Sequence, residues 1–441
     1  YSRWALIRGW ALNRINKVLL LLLLLLLLSL NIIIITYIQE MGGEQSSLPP
    51  RPLGFEYFCI AFRPSDKIRI IYGTDHEISI IRQIIEQSWS RGIQREQFLF
   101  NGVHEFKLKG NPFQVYTSSF DAASSRIMAG NILHRLQRDG WKLLVSSDLT
   151  RRTDLTTWIF KKAPSAAISS RPLLIVGLSS TDSLMILNAP EELHQTFKII
   201  VENSWSRGIQ KWSFENNVLV IKLYGTPWNP DGQETVCSRL LLQNLIQDLY
   251  KKQWRLYGNS NLKSSTNTLF FEYDSNIIPG ERYSSFFTVS LNKQDRIRLI
   301  GAEDNLVSVV RDVLQTSWTR GIQNEENYHQ SWEFKLRGTP WWASGTEAVD
   351  SRFLIAKLIE ILQSYGWFVV AAIDSSRKIS DKSSLVFTKS QPLRSPVFCL
   401  SLNESDKIRL INAPDDIQKV RTLRLMRIRY YFSFYSIFSF I

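Results

Sequence analysis

Cysteine is almost missing from this chain: 441 residues contain three, Cys59, Cys237 and Cys399. They lie far apart, so they give neither a disulfide framework nor a metal-ligand spacing. The pattern reads as isolated buried thiols in a reducing compartment. Histidine is scarce too, with five in all. His76, His104, His134, His194 and His329 show no spacing to cysteines or carboxylates that would hold a metal. A nucleophile elbow, a phosphate loop and a zinc-hydrolase helix motif are all lacking. The sequence therefore predicts no catalysis, no cofactor and no metal.

Concentrated positive charge is also missing where it would matter. Of the net +13, nine charges sit on Arg3, Arg8, Arg14, Lys17, Lys419, Arg421, Arg424, Arg427 and Arg429, leaving +4 for residues 18–418. A phosphate-binding surface needs its cations on the folded part of a protein. Nucleic acid is not expected as a partner.

Long apolar runs are absent with one exception. Residues 18–38, from Val18 to Ile38, carry no charge and include ten consecutive leucines, Leu19 to Leu28. A helix of that length spans about 31 Å, close to the hydrocarbon thickness of a bilayer. Four cations precede the run, and Glu40 and Glu44 follow it. This predicts a single-pass anchor in the lipid bilayer with the N-terminus in the cytoplasm. The competing readings are a cleaved signal peptide, for which no Ala-x-Ala site is present, and a low-complexity artefact that would leave the protein cytoplasmic. The chain opens on Tyr1 rather than Met.

What is present in abundance is repetition. The heptads Ser88-Trp89-Ser90-Arg91-Gly92-Ile93-Gln94, Ser204-Trp205-Ser206-Arg207-Gly208-Ile209-Gln210 and Ser317-Trp318-Thr319-Arg320-Gly321-Ile322-Gln323 start 116 and 113 residues apart. That period exceeds the roughly 20–50 residues of solenoid units. Each unit is long enough to bury its own core, so the expectation is separate beads on a string.

The three copies predict the same elements. Two short strands open each unit around a polar turn with an aspartate, Asp66, Asp182 or Asp295. A helix follows, with Leu306, Val309, Val310, Val313, Leu314 and Trp318 forming one apolar stripe. The signature closes that helix, placing its arginine in the last turn and its glycine at the left-handed position beyond. A central strand then enters a Gly-x-Pro-aromatic turn, as in Gly225-Thr226-Pro227-Trp228. A second helix and two last strands complete the unit. The predicted fold is α+β: tandem two-layer modules of order ββαβαββ, about five strands with two helices on one face.

The boundaries are a basic flank over 1–17, the hydrophobic helix over 18–38 and a linker over 41–53. Module 1 covers 55–162, module 2 covers 173–273 and module 3 covers 286–389. A fourth copy runs over 397–421 and then breaks off into a basic, aromatic tail over 422–441. It reads as a truncated or decayed copy.

Four polar positions recur without an immediate structural reason. They are the signature arginine (Arg91, Arg207, Arg320), the signature glutamine (Gln94, Gln210, Gln323), a central-strand lysine (Lys107, Lys222, Lys335) and an arginine early in the second helix (Arg126, Arg239, Arg352). Arginine near a helix N-terminus opposes the dipole, so something must hold it there. Structural ion pairs are the preferred explanation. The alternative is a clamp for an anionic small molecule or headgroup. Trp228, Trp341 and Trp342 could stack on a ligand but are expected to pack. The functional expectation is a membrane-anchored array of interaction modules that raises avidity for a protein partner.

Overall fold

A computed structural model describes residues 56–418, apart from 101, 116, 148–154, 164–168, 216, 264–266, 279–284, 377–381, 404–406 and 416. The run over 18–38 and the tail over 422–441 lie outside the described residues.

Module 1 comprises β1 (Tyr57–Arg63), β2 (Lys67–Ile71), α1 (Asp75–Ser88), β3 (Ile93–Phe100), β4 (Val103–Leu108), α2 (Ser119–Arg138), β5 (Trp141–Ser147) and β6 (Thr157–Lys162). Module 2 repeats this with β7 (Leu174–Ser179), β8 (Ser183–Leu187), α3 (His194–Ser204), β9 (Ile209–Glu215), β10 (Val218–Leu223), α4 (Glu234–Lys251), β11 (Trp254–Ser260) and β12 (Thr268–Tyr273). Module 3 has β13 (Phe286–Asn292), β14 (Arg296–Ile300), α5 (Asp304–Ser317), β15 (Ile322–Tyr328), β16 (Ser331–Leu336), α6 (Glu347–Ser364), β17 (Trp367–Ile373) and β18 (Ser384–Lys389). A last hairpin, β19 (Cys399–Asn403) and β20 (Lys407–Ile411), follows.

The chain is α+β as expected, but each sheet has six strands, not five. The first runs β3-β4-β2-β1-β6-β5 and the other two match it. All pairings within the three sheets are antiparallel. The additional strand is the one the signature opens: β3, β9 or β15. It lies at the sheet edge and is largely solvated, as in the exposed Gln323, Asn324, Glu326 and Asn327 of β15. An edge strand needs no apolar face, and β15 accordingly lacks the alternation that marks the inner strands.

Each module's two helices pack on one face of its sheet. The predicted stripe of α5 is buried at Leu306, Val310, Val313 and Leu314. Beneath the helices an aromatic trio recurs. Phe58 stacks on Phe160 at 5.0 Å and meets Trp141 edge-on at 4.6 Å. Phe287 does the same with Phe387 and Trp367, at 4.9 Å in both cases. Each fully buried aromatic or aliphatic side chain contributes about 1.5–3 kcal/mol.

The beads-on-a-string expectation fails. The second helix of each module packs on its own sheet and also on the back of the next one. In α2 the buried residues run all round the helix, including Ala122, Arg126, Met128, Gly130, Ile132 and Leu133. A helix buried on every side belongs between two layers. Ile175, Met185 and Leu187, on the back of the second sheet, belong to the first module's core. Phe286 of the third module likewise joins the second core.

The fourth copy follows the same rule. Its hairpin sits against α6, where the Glu360 carboxylate accepts from the Val397 amide at 3.1 Å. The modules form one stack of alternating sheets and helix pairs.

Gly177 shows how close this joint is. A Cβ there would overlap the guanidinium of Arg126 and come within 2.8 Å of its Cδ. Arg126 is 2% exposed and cannot swing away. Gly177→Val is expected to cost about 1–3 kcal/mol by overpacking. Urea denaturation of the full chain should show this as a lower midpoint for the part of the transition that includes modules 1 and 2.

Candidate functional site

The signature is a staple between a helix end and a strand end. Helix α1 stops at Ser88, because Trp89 turns extended and its amide still donates to the Ile85 carbonyl. The indole then reaches across the module. Trp89 Nε1 donates to the Lys109 carbonyl at 2.9 Å, Trp205 to that of Tyr224 at 2.8 Å and Trp318 to that of Arg337 at 2.9 Å. Each ring is 1% exposed, so its N–H needs that partner. Gly92, Gly208 and Gly321 follow at φ of 71°, 75° and 73°, the left-handed region. Their carbonyls accept from the amides of Lys109, Tyr224 and Arg337 at 3.0–3.1 Å. A Cβ at these glycines would meet nothing within 4 Å, so the requirement is conformational.

The signature arginine is not in the last helical turn, as the sequence suggested, but three residues past the helix end. Its charge goes to a carboxylate in the first turn of the second helix. Arg91 pairs with Asp121 at 2.8 Å, Arg207 with Glu234 at 2.5 Å and Arg320 with Glu347 at 3.5 Å. The acid also complements the positive end of that helix. Each arginine lies over the glycine of the Gly-x-Pro turn; a Cβ on Gly110, Gly225 or Gly338 would come within 2.9 Å of it. Sequence reasoning missed these acids. They lie nine residues after Pro112 and seven after Pro227 and Pro340, in no fixed identity, and only the helix-start rule could have found them.

The other recurring polar residues go elsewhere. Gln94, Gln210 and Gln323 are exposed and occupy a β-bulge: the ladder skips from Ile93 to Arg95, from Ile209 to Lys211 and from Ile322 to Asn324. Lys107 faces Asp66 at 3.8 Å and Lys222 faces Asp182 at 3.7 Å. In module 3 Arg296 takes that aspartate, Asp295, at 3.8 Å, and Lys335 is half-buried beside it in the ladder. Among the described residues the four positions share no hydrogen bond or ion pair with one another.

The second-helix arginines belong to the joints. Arg126, Arg239 and Arg352 each donate back to the carbonyl four residues earlier, at 3.0, 3.1 and 2.6 Å. Arg126 also donates to Thr268 Oγ1 at 3.2 Å and to the Leu178 carbonyl at 3.5 Å, both in module 2. That grip offsets the unfavourable helix dipole. Lys263 makes the reciprocal reach. From module 2 its ammonium donates to the carbonyls of Pro112 and Gln114 and to Thr117 Oγ1, at 2.9, 3.2 and 3.0 Å. Burial pulls its pKa down to about 7, the Arg126 charge adds to this, and Asp121 opposes it. Nothing in the repeat pattern marks Lys263, because the loop that carries it is not repeated.

Of the turn aromatics, Trp228 and Trp341 are buried and donate to the carbonyls of Ser183 and Arg296, both at 2.9 Å. Trp342 is exposed. Among the described residues no group of three or more His, Cys, Asp or Glu side chains could hold a metal. No helix among them is long and apolar enough to cross a membrane.

A single domain family matches the chain three times, over residues 56–161, 172–277 and 285–388. The chain belongs to that family. It is a family of tandem-repeat domains of unknown function. No curated protein and no solved structure matches the chain. The family boundaries coincide with the three sheets and their helices, leaving the β19–β20 hairpin outside the match.

Two outcomes follow from the staple and the joint. Gly208→Ala forces a Cβ into the left-handed region and is expected to cost about 1–2 kcal/mol, whereas Arg207→Ala removes an exposed ion pair and should cost under about 1 kcal/mol; chemical denaturation compares them. Lys263 titrates lower in the folded chain than its ordinary 10.5. Such a group subtracts stability below its folded pKa and ceases to do so as pH rises toward the unfolded value. The stability of the native chain relative to Lys263→Met should therefore rise between about pH 7 and pH 10.5, as read from denaturation midpoints.

Proposed function

We propose that this protein is a non-catalytic, membrane-anchored tandem-repeat protein that acts by binding a protein partner. The observation that carries this reading is the joint. Three family domains share buried cores through Arg126, Lys263 and the doubly packed second helices. An array stiffened in this way holds similar faces at fixed spacing, which reduces the ordering cost of a multipoint contact. The recurring polar groups favour the same reading. The signature arginines, the second-helix arginines, Lys107 and Lys222 are engaged within the chain, and the set does not converge on one cleft. An anion clamp built from that set would have to break existing pairs first. The near-neutral folded part favours a protein over nucleic acid as partner.

Anchorage rests on residues 18–38 and their flanking charges, with the N-terminus cytoplasmic and the modules on the other side. Full-length protein expressed in cells is expected to stay with membranes through alkaline carbonate. Leu21→Arg combined with Leu25→Arg should release it, because each substitution costs roughly 3 kcal/mol at mid-bilayer. Carbonate extraction of the native chain would sink the anchor. Turnover of any member of a phosphoester and acyl-ester panel would sink the non-catalytic reading.

A further inference from the structure

Each of the three sheets has at one end a strand with no partner strand on its outer side among the described residues: β3, β9 or β15. An open edge invites pairing with another chain, and proteins commonly blunt it with charge. Two of the three edges are blunted in the same way. Glu96 of β3 takes a two-pronged ion pair from Arg82 of α1. Glu325 of β15 takes one from Arg311 of α5, with both oxygens at 2.9 Å.

The second module departs from this. The matching positions hold Lys198 and Trp212. The cross-element ion pair is replaced, and Lys198 lies 3.9 Å from Glu202 of its own helix. Trp212 is 38% exposed and Phe214, two residues on, 54%. Both lie on the same face of β9, next to α3, where Phe214 meets His194 at 5.2 Å. The edge reads Lys211-Trp212-Ser213-Phe214-Glu215, with opposite charges flanking two aromatics.

That segment is complementary to itself. We propose that β9 pairs antiparallel with β9 of a second copy of this chain, about a twofold axis through Ser213. Directly opposite residues share a face in an antiparallel ladder. Trp212 then lies opposite Phe214 of the second copy on one face. Lys211 lies opposite Glu215 of the second copy on the other, and symmetry makes each pair twice. Aromatic pairs and opposite-charge pairs are the favourable cross-strand units. The two six-stranded sheets become one continuous sheet, and the contact is isologous, so it closes at two copies.

The same operation fails at the other edges. About Glu326 it sets that carboxylate against itself, and about Gln97 it sets Arg95 against Leu99 and Glu96 against Phe98. The charge pattern is what favours a second copy over a foreign strand. This inference does not rest on the membrane anchor or on the unidentified partner.

The test is association of the full chain in mild detergent, by sedimentation and light scattering. The native chain is expected to be dimeric at micromolar concentration. Lys211→Glu alone and Glu215→Lys alone each create two like-charge pairs and should weaken association about tenfold or more. Mixing those two variants, or combining both changes in one chain, should restore the dimer. Ser213→Cys should cross-link across the axis under mild oxidation, because directly opposite Cα atoms lie about 4.5–5.5 Å apart, within disulfide reach. The native chain, with its own cysteines, should give no such cross-link. A native chain that stays monomeric at tens of micromolar overturns the proposal. So does equal association of both single variants with the native chain, or a combined variant that remains as weak as either one.

Discussion

Every layer of this protein depends on a helix that is buried twice. Helices α2, α4 and α6 each cover their own sheet and the back of the following strands. An antiparallel sheet can leave one face to water, but these do so only in part. The second sheet places Ile175, Met185 and Leu187 on its back, and those side chains need the preceding module. The joint is therefore part of the core and not an accessory contact.

The joints share a plan and differ in chemistry. Between modules 1 and 2 the helix presents Gly130, and Ile175 fills the space a side chain would take, with its Cδ1 2.6 Å from where the Cβ would lie. At the matching place in α4 stands Gln243, which donates to the Phe286 carbonyl at 3.1 Å and accepts from Thr288 at 2.9 Å. The back face follows suit. Arg69 and Glu105 form a buried ion pair at 2.7 Å in module 1, and Arg298 and Glu333 form one at 2.6 Å in module 3. Module 2 has Met185 and Val220 at those positions. Both members of the pair are exchanged together, as expected where a lone buried charge would be costly. Arg126 then approaches a thioether, with Met185 Sδ at 4.0 Å, and meets no second guanidinium there.

Much of the single module was legible in the sequence, and little of the joint. The apolar stripes of the first helices, the opening hairpins and the glycine of the signature rest on local periodicity and local backbone need. The sixth strand was not legible in β15, a solvated edge strand with polar residues where alternation is sought, and in β9 the two alternating aromatics span too short a run to mark a strand alone. The arginine was misplaced by one helical turn because Trp89 fits the stripe yet already leaves the helix. The joint was hidden for another reason. The outward side of α2 meets module 2 through Arg126 and Gly130, neither of which reads as apolar surface. Burial there comes from small size and shape, and hydropathy does not record it.

The exchange of whole residue sets from one joint to the next bears on how such a chain finds its native state. Tandem copies of one domain are prone to pair with the wrong neighbour while folding. Here Gly130 meets Ile175 and Gln243 meets Thr288, so a transposed pairing would bury an amide against a branched alkyl group or leave a void. The modules carry an address as well as a fold. Their order along the chain is specified by the joints, and a rearranged gene would encode the same domains without the same stack.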